Sequence, residues 1–384
     1  MRNRELDSAY PLVILETGRR DRENKDSFLF DCPRDVLTFS SADSPDKFFK
    51  QAQKYLDRGF WLAGYFAYEF GYFLDPALRN LRRDFDFPLA WFLVCQRPRS
   101  FKSQGLGRGG WQADRLKPNI PETEYAGKIK AIKEYLSDGL TYQVNLTFKI
   151  KFDFSGDPFS FYRDMRRQQP TAYNAFIDTG QLKVISCSPE LFFRLRGSTI
   201  TARPMKGTRQ AGGMKKCPKS RAENLMIVDL LRNDLGRFCD KVWVPKLFSL
   251  EKYPTLYQMT STIKGRVRPR AKPVDVFTAL FPCGSVTGAP KIAAMRMIQE
   301  LEKEPRRVYC GAIGYISPKN QACFSVAIRT ALLDNKGKGE LGVGGGIIYD
   351  SRARSEYQEA MLKSRFFFDA AKSKFPKYDI MRKS

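Results

Sequence analysis

The 384 residues contain no histidine. That single absence excludes Ser-His and Cys-His nucleophiles, imidazole acid–base steps and histidine zinc sites. Proton transfer must then use Glu, Asp, Lys, Tyr, Cys or water, and a metal site built from carboxylates would favour a hard ion such as magnesium. Long apolar runs are missing too. Met1–Tyr10 is charged and Leu12–Leu15 is too short for a signal-peptide core or a membrane span, so the expectation is a cytoplasmic chain with no membrane partner. The eight cysteines, at 32, 95, 187, 217, 239, 283, 310 and 323, form no C-x-x-C pair and read as reduced thiols. Internal repeats and the G-x-x-x-x-G-K-[ST] phosphate loop are also absent. The formal charge of +25 has no long basic run behind it. Its concentrations, such as Arg19–Lys25, Arg97–Arg108 and Lys264–Lys272, lie in no nucleic-acid motif, and a solvated basic surface accounts for them. A basic nucleic-acid-binding protein stays as a distant alternative, which would show strongly salt-dependent binding.

What is present is a large apolar fraction, 42%, enough for a sizeable core. Residues 1–97 alternate short apolar runs with turns and read as strands plus a helix near Asp46–Asp57, contributing to a sandwich. Residues 98–121, rich in Arg, Lys, Gly, Ser and Pro, read as a linker or surface loop. Residues 122–375 form the denser catalytic part, and 376–384 a basic tail. Helices are expected at Glu122–Ser137, Pro218–Asp234, Pro290–Glu302 and Ser355–Ala371. Strands between them come in consecutive pairs, which predicts an α+β fold: antiparallel sheets packed as a β-sandwich core with helices outside.

Several segments carry possible chemistry. Lys206 sits in Arg203-Pro204-Met205-Lys206-Gly207-Thr208-Arg209, a Pro/Gly-framed turn beside cations that would lower an amine pKa, which makes it a candidate covalent nucleophile; a solvated cation is the plainer alternative. Glu356, Glu359 and Lys363 share one helix face, able to hold magnesium and an anion or to form a surface ion-pair ladder. Gly344, Gly345 and Gly346, just before, leave backbone amides open to an anion. Glu223 lies on a helix apolar all round, hence buried and in need of a partner or metal. Ser285 belongs to Gly284-Ser285-Val286-Thr287-Gly288, a turn opening a helix whose free amides attract anions. Arg329 interrupts an apolar strand, Phe324–Leu332, as a carboxylate clamp or a structural salt bridge.

These pieces, with Tyr142-Gln143-Val144-Asn145-Leu146-Thr147 and Ser188-Pro189-Glu190-Leu191-Phe192, resemble the chorismate-utilising enzymes closely over 122–371 and more loosely before. Within that family the Lys206 segment is similar to that of aminodeoxychorismate synthase component I; anthranilate synthases carry alanine there. The resemblance implies that Lys206 attacks ring carbon 2 of chorismate as the 4-hydroxyl departs, and that ammonia then enters at carbon 4 and expels the lysine. It further implies Glu190 as general acid, and Mg2+ held by Glu223 and Glu359 with Glu356 close by. Arg329 and Tyr315 would hold the enolpyruvyl carboxylate, and Gly344–Gly346 with Lys363 the ring carboxylate; Ser285 and Thr208 join the substrate contacts. Ammonia would come from a separate glutamine amidotransferase subunit, since no Cys-His-Glu glutaminase is visible. A separate aminodeoxychorismate lyase would finish the route to 4-aminobenzoate and folate. The alternatives within the family are anthranilate synthase component I, another chorismate-utilising activity, or an inactive partner subunit. Gln258 stands where many relatives have histidine, which argues against the anthranilate reaction. Leu15-Glu16-Thr17 only approximates Leu-Glu-Ser, and Gln169-Pro170-Thr171-Ala172-Tyr173 replaces Asn-Pro-x-Pro-Tyr, both of which argue against tryptophan feedback.

Overall fold

The strand Ala90–Cys95, AWFLVC, is buried at all six positions, so it needs cover on both faces and belongs in the middle of a sheet. In the computed structural model, which describes residues 11–19, 24–102, 109–209, 218–252 and 257–367, it lies between Trp61–Phe66 and Asp35–Phe39. The described strands form two sheets of ten, with every pairing antiparallel. This is the α+β arrangement expected from the sequence.

The first sheet runs Gly288–Ala289, Gln143–Gly156, Lys338–Ile347, Thr330–Asp334, Leu182–Ser188, Tyr173–Asp178, Leu12–Glu16, Phe28–Phe30 and Arg99–Ser100. The second runs Met205–Arg209, Tyr257–Val267, Thr199–Arg203, Leu191–Arg196, Gln321–Val326, Ala312–Ser317, Trp61–Phe66, Ala90–Cys95 and Asp35–Phe39. Period-two alternation sends residues of one parity to each face of a strand. Thus Val13, Ala175, Ile177 and Val184 of the first sheet share a cluster with Ala63, Leu93 and Ile313 of the second. On the other parity, Phe176 meets Phe159 and Tyr162 of the helix Pro158–Gln168 at 5.3 and 5.8 Å. Phe66 touches Phe70, Phe92 and Phe277 with ring centroids 4.8, 4.8 and 4.5 Å away. Each such buried ring contributes roughly 1.5–3 kcal/mol of transfer free energy.

Helix positions follow local signals. Pro45–Asp57 starts with proline at its first turn, carries Asp46 there and Lys54 in its last turn, and buries Phe48, Phe49, Ala52 and Leu56 on one face. Helices at Glu122–Ser137, Pro218–Gly236 and Lys291–Leu301 agree with the expected ones within a few residues, and the one expected at Ser355–Ala371 is found as Ala353–Lys363, ending eight residues earlier, with 368–371 outside the described residues. The last packs on Lys338–Ile347, and Pro218–Gly236 packs on Tyr257–Val267.

Three local expectations change. The 98–121 segment, read as a linker or loop, carries Arg99–Ser100 and the eight-residue strand Trp111–Pro118, which pairs with Gln143–Gly156. Its charged residues are those of an edge strand, a usual defence against unwanted pairing. The Pro218–Gly236 helix is amphipathic rather than buried all round: Asn224, Ile227, Val228 and Leu231 are buried while Leu225 is 45% exposed. Arg329 is not inside a strand. Gln321–Val326 ends in the second sheet, Thr330–Asp334 begins in the first, and Arg329 takes φ +54° between them. The proposed tail 376–384 lies outside the described residues.

Candidate active site

Two chain segments switch sheets side by side. Leu182–Ser188 belongs to the first sheet and Leu191–Arg196 to the second, with Pro189 and Glu190 at the corner between them. The crossing at residues 327–329 is its neighbour. Cys187 donates its N–H to the Arg329 carbonyl at 3.1 Å, Val326 donates to the Glu190 carbonyl at 3.1 Å, and the Ser188 hydroxyl donates to the Val326 carbonyl at 2.6 Å. Corners of a sandwich are where strands change sheets, and their backbone is fixed from both sides. Glu190 is therefore held by its main chain before its side chain does anything.

That side chain is 3% exposed. Ser285 Oγ donates to Glu190 Oε1 at 2.6 Å, and the carbonyl of the same Ser285 accepts from Lys206 Nζ at 3.1 Å. Lys206 reaches this point from the edge strand Met205–Arg209, whose register against Tyr257–Val267 shifts between Lys206 and Thr208, with Gly207 at φ +71°. A left-handed residue in a bulge is where glycine is needed, and the bulge re-aims the side chain beside it. Burial pushes the Glu190 carboxyl up to about 7, so it is protonated below neutrality. Burial also lowers the Lys206 amine below its ordinary value; Glu223 and Glu190 oppose this, and Lys363 adds to it. The sequence expectation of a lowered amine holds in direction, with burial as the leading cause.

Lys363 comes from the helix Ala353–Lys363. Its Nζ donates to the Gly344 carbonyl at 3.0 Å and pairs with Glu359 at 2.8 Å. Gly345 belongs to the same surroundings: a Cβ built there would stand 3.3 Å from Lys363 Nζ and 3.8 Å from Glu356 Oε2. The glycine run is not a loop of open amides. It lies within Lys338–Ile347, with Gly344, Gly345 and Gly346 opposite Thr147, Leu146 and Asn145, and its missing side chains make room. Glu356 is 8% exposed and accepts from Ser351 Oγ at 2.7 Å, whereas Glu359 is the exposed half of an i,i+4 pair. An all-oxygen donor set beside a gap without a Cβ suits a hard divalent cation in type. Among the described residues, no group of three His, Cys, Asp or Glu side chains is gathered closely enough to hold one.

Of the other expected site residues, Tyr315 packs with Phe28, Phe30 and Trp61 at centroid distances of 5.5, 6.5 and 5.6 Å, an aromatic group apart from the contacts of Lys206. Thr208 lies on the Lys206 strand; its side chain is outside the described set. The turn around Ser285 is a 3-10 segment, Gly284–Val286, followed by the short strand Gly288–Ala289, so it does not open directly into the helix Lys291–Leu301. Pro189 and Met205, the residues before Glu190 and Lys206, line a separate cavity of about 250 Å³ with Arg19, Asn24, Tyr173 and Arg203.

Two residues escaped functional assignment in the sequence. Gln143 is 1% exposed and neither atom of its amide has a hydrogen-bond partner among the described residues; its Nε2 stands 2.2 Å from where a Cβ on Gly346 would be. Cys283 is buried, and its Sγ lies 3.3 Å from Ser285 Oγ. A buried polar residue at the start of a strand was the only available signal for the first; nothing signalled the second.

Residues 103–369 match the family of chorismate binding enzymes. The chain is 40% identical over 258 residues to aminodeoxychorismate synthase component 1 of Klebsiella aerogenes, covering 64% of this chain and 57% of that protein. It is 37% identical over 258 residues to anthranilate synthase component 1 of Saccharolobus solfataricus, covering 64% and 61%. The match thus spans less than two thirds of the length of these relatives. The structure superposes on that of anthranilate synthase component I from Streptococcus pneumoniae TIGR4 with a TM-score of 0.78 and 25% identity, covering 91% of this chain and 93% of that one. The fold with its paired sheet crossings, the Glu190–Ser285–Lys206 group and these similarities lead to one conclusion: the chain belongs to the chorismate binding enzyme family.

Proposed function

We propose that this chain aminates chorismate at carbon 4, as an aminodeoxychorismate synthase component I. The observation that carries the reading is Lys206: a half-buried lysine whose amine is lowered by desolvation, joined through Ser285 to a buried carboxyl raised to about 7.

The chemistry then divides into two displacements. The Lys206 lone pair forms a bond to ring carbon 2 while the bond from carbon 4 to its hydroxyl breaks, and Glu190 gives its proton to the departing oxygen, which leaves as water. Ammonia next forms a bond at carbon 4 and the bond from carbon 2 to Nζ breaks, returning the neutral amine to Lys206. The proton brought in on the new amino group restores Glu190. Arg329 and Lys363 are the cations proposed to meet the two carboxylates of chorismate. Glu223, Glu356 and Glu359, which are not gathered into a cluster in this structure, would have to draw together to hold a magnesium ion, which would neutralise the ring carboxylate. Ammonia would come from a separate glutamine amidotransferase subunit, as the designation "component 1" of the similar Klebsiella protein suggests. A separate lyase would release 4-aminobenzoate. A cytoplasmic location fits this reading; no helix among the described residues is long and apolar enough to cross a membrane.

The similarity to an anthranilate synthase at 37% identity supports a second reading, anthranilate synthase component I. Incubation with chorismate, magnesium and ammonium salt separates the two. A product that keeps its pyruvyl group and yields 4-aminobenzoate on addition of aminodeoxychorismate lyase supports amination at carbon 4; anthranilate supports the alternative.

A further inference from the structure

The hydroxyl of Ser285 has two neighbours, and the second is unused by the mechanism above. Oε1 of Glu190 lies 2.6 Å away on one side and Sγ of Cys283 lies 3.3 Å away on the other, all three side chains being buried. A hydroxyl has one proton to give and lone pairs to receive with. When Glu190 is ionised, Ser285 must donate to it. When Glu190 carries its proton on Oε1, the oxygen that faces Ser285, the donor and acceptor exchange places, and the Ser285 proton needs another acceptor. Sulfur, a weak donor and a weak acceptor, suits both settings.

We propose that Cys283 is a positioning residue for the proton donor: its thiol lets Ser285 turn from donor to acceptor, so that Glu190 is held in place both before and after it gives up its proton. The inference rests on the reading of Glu190 as general acid. Burial keeps the thiol itself neutral, its pKa pushed up to about 12, so it acts only as a hydrogen-bond partner. The charges and donors around the group come from several elements. Lys206 and the Met205 N–H face Glu190 from the Met205–Arg209 strand, and Val326 fixes the Glu190 backbone from Gln321–Val326. Glu223 and Lys363 act on Lys206 from their two helices, and Lys291 acts on Cys283. Neither substitution considered below removes any of those ionisable neighbours except the thiol in question.

Two variants displace the pH profile in opposite directions. In Cys283→Ala the protonated form of Glu190 leaves the Ser285 proton without its acceptor, which disfavours that form, so the alkaline limb of kcat/KM moves down by about half a pH unit. In Ser285→Ala the ionised form loses its donor, so the limb moves up by a similar or larger amount, while the residue 285 carbonyl still receives Lys206. Cys283→Ser, which keeps a donor and acceptor at the position, retains the wild-type limb, and Cys283→Ala adds nothing in the Ser285→Ala background. Circular dichroism and melting temperature check that each variant folds, and the infrared band of the Glu190 carboxyl, identified by its loss in Glu190→Gln, gives a readout that does not need turnover. An unmoved limb and band in folded Cys283→Ala, or a displacement that Cys283→Ser does not reverse, overturns the proposal. Failure of wild type to aminate carbon 4 would instead overturn the reading beneath it.

Discussion

Lys206 donates to the backbone oxygen of Ser285, not to its side chain, at 3.1 Å. The hydroxyl is thereby left for Glu190, and one residue locates both the proposed nucleophile and the proposed proton donor. Because the first link is a main-chain one, it depends on the 283–287 turn, which Thr287 Oγ1 closes onto the Cys283 carbonyl at 2.9 Å.

The pH dependence of chorismate consumption should carry the mark of Glu190. Its carboxyl titrates near 7 rather than at the ordinary 4.5 because it is buried, so the protonated donor is lost as pH rises through 7. With the free ammonia concentration held constant, kcat/KM is expected to fall on that alkaline limb. Glu190→Gln should lower kcat by about 10²- to 10⁴-fold and abolish the limb.

Adding a methyl group at residue 345 tests whether the glycine run is there for space. The new Cβ would lie 3.3 Å from Lys363 Nζ, inside the volume proposed for the ring carboxylate. Gly345→Ala is expected to raise the chorismate KM by about tenfold while the fold and melting temperature stay close to wild type.

Removing divalent ions with a chelator should stop turnover, and magnesium should restore it. Glu356→Gln is expected to raise the magnesium concentration needed by at least about tenfold, measurable by calorimetric titration of the ion without substrate.

Away from the site, Glu69 is 2% exposed and accepts the N–H groups of Arg306 and Arg307 at 2.6 and 3.1 Å, joining the N-terminal part to the segment before Ala312–Ser317. Burial raises its carboxyl from 4.5 to about 7, like that of Glu190. Both groups bind protons more tightly in the folded chain than in the unfolded one. Their contribution is therefore fully present below pH 4.5 and is lost as pH rises through 7. Glu69→Gln replaces one acceptor oxygen by a donor and should destabilise the fold by about 1–3 kcal/mol. Urea unfolding on either side of pH 7 should also show a shallower pH dependence in the variant.

What the sequence disclosed was largely what local rules encode. Proline at the start of Pro45–Asp57 and Pro218–Gly236 marked those helices, and alternating apolar residues marked Tyr173–Asp178 and Leu182–Ser188. Family motifs singled out Lys206 and Glu190, and the structure brings both side chains to Ser285. The strand Cys239–Lys252 was not legible, because Pro245 interrupts it and its register against Tyr257–Val267 shifts three times, which destroys the two-residue alternation. Trp111–Pro118 was obscured in the same way by its charges and by the shift between Asp114 and Lys117. Arg329 was placed inside a strand because a change of sheet leaves an apolar run unbroken in sequence. The lowered amine was attributed to flanking arginines, whereas burial and Lys363, brought from a distant helix, supply it. Such causes are tertiary and have no local signature.

Lys206 is proposed to bond covalently to the substrate. Mixing the chain with chorismate and magnesium in the absence of ammonia, quenching, and measuring the intact mass tests it directly. The expected result is a gain equal to chorismate less one water, mapping to the peptide that contains Lys206 and absent in Lys206→Ala, whose amination rate should also fall by on the order of 10³-fold or more. An unmodified chain that nevertheless aminates carbon 4 once ammonia is supplied, or a Lys206→Ala variant with an undiminished rate, would contradict the account.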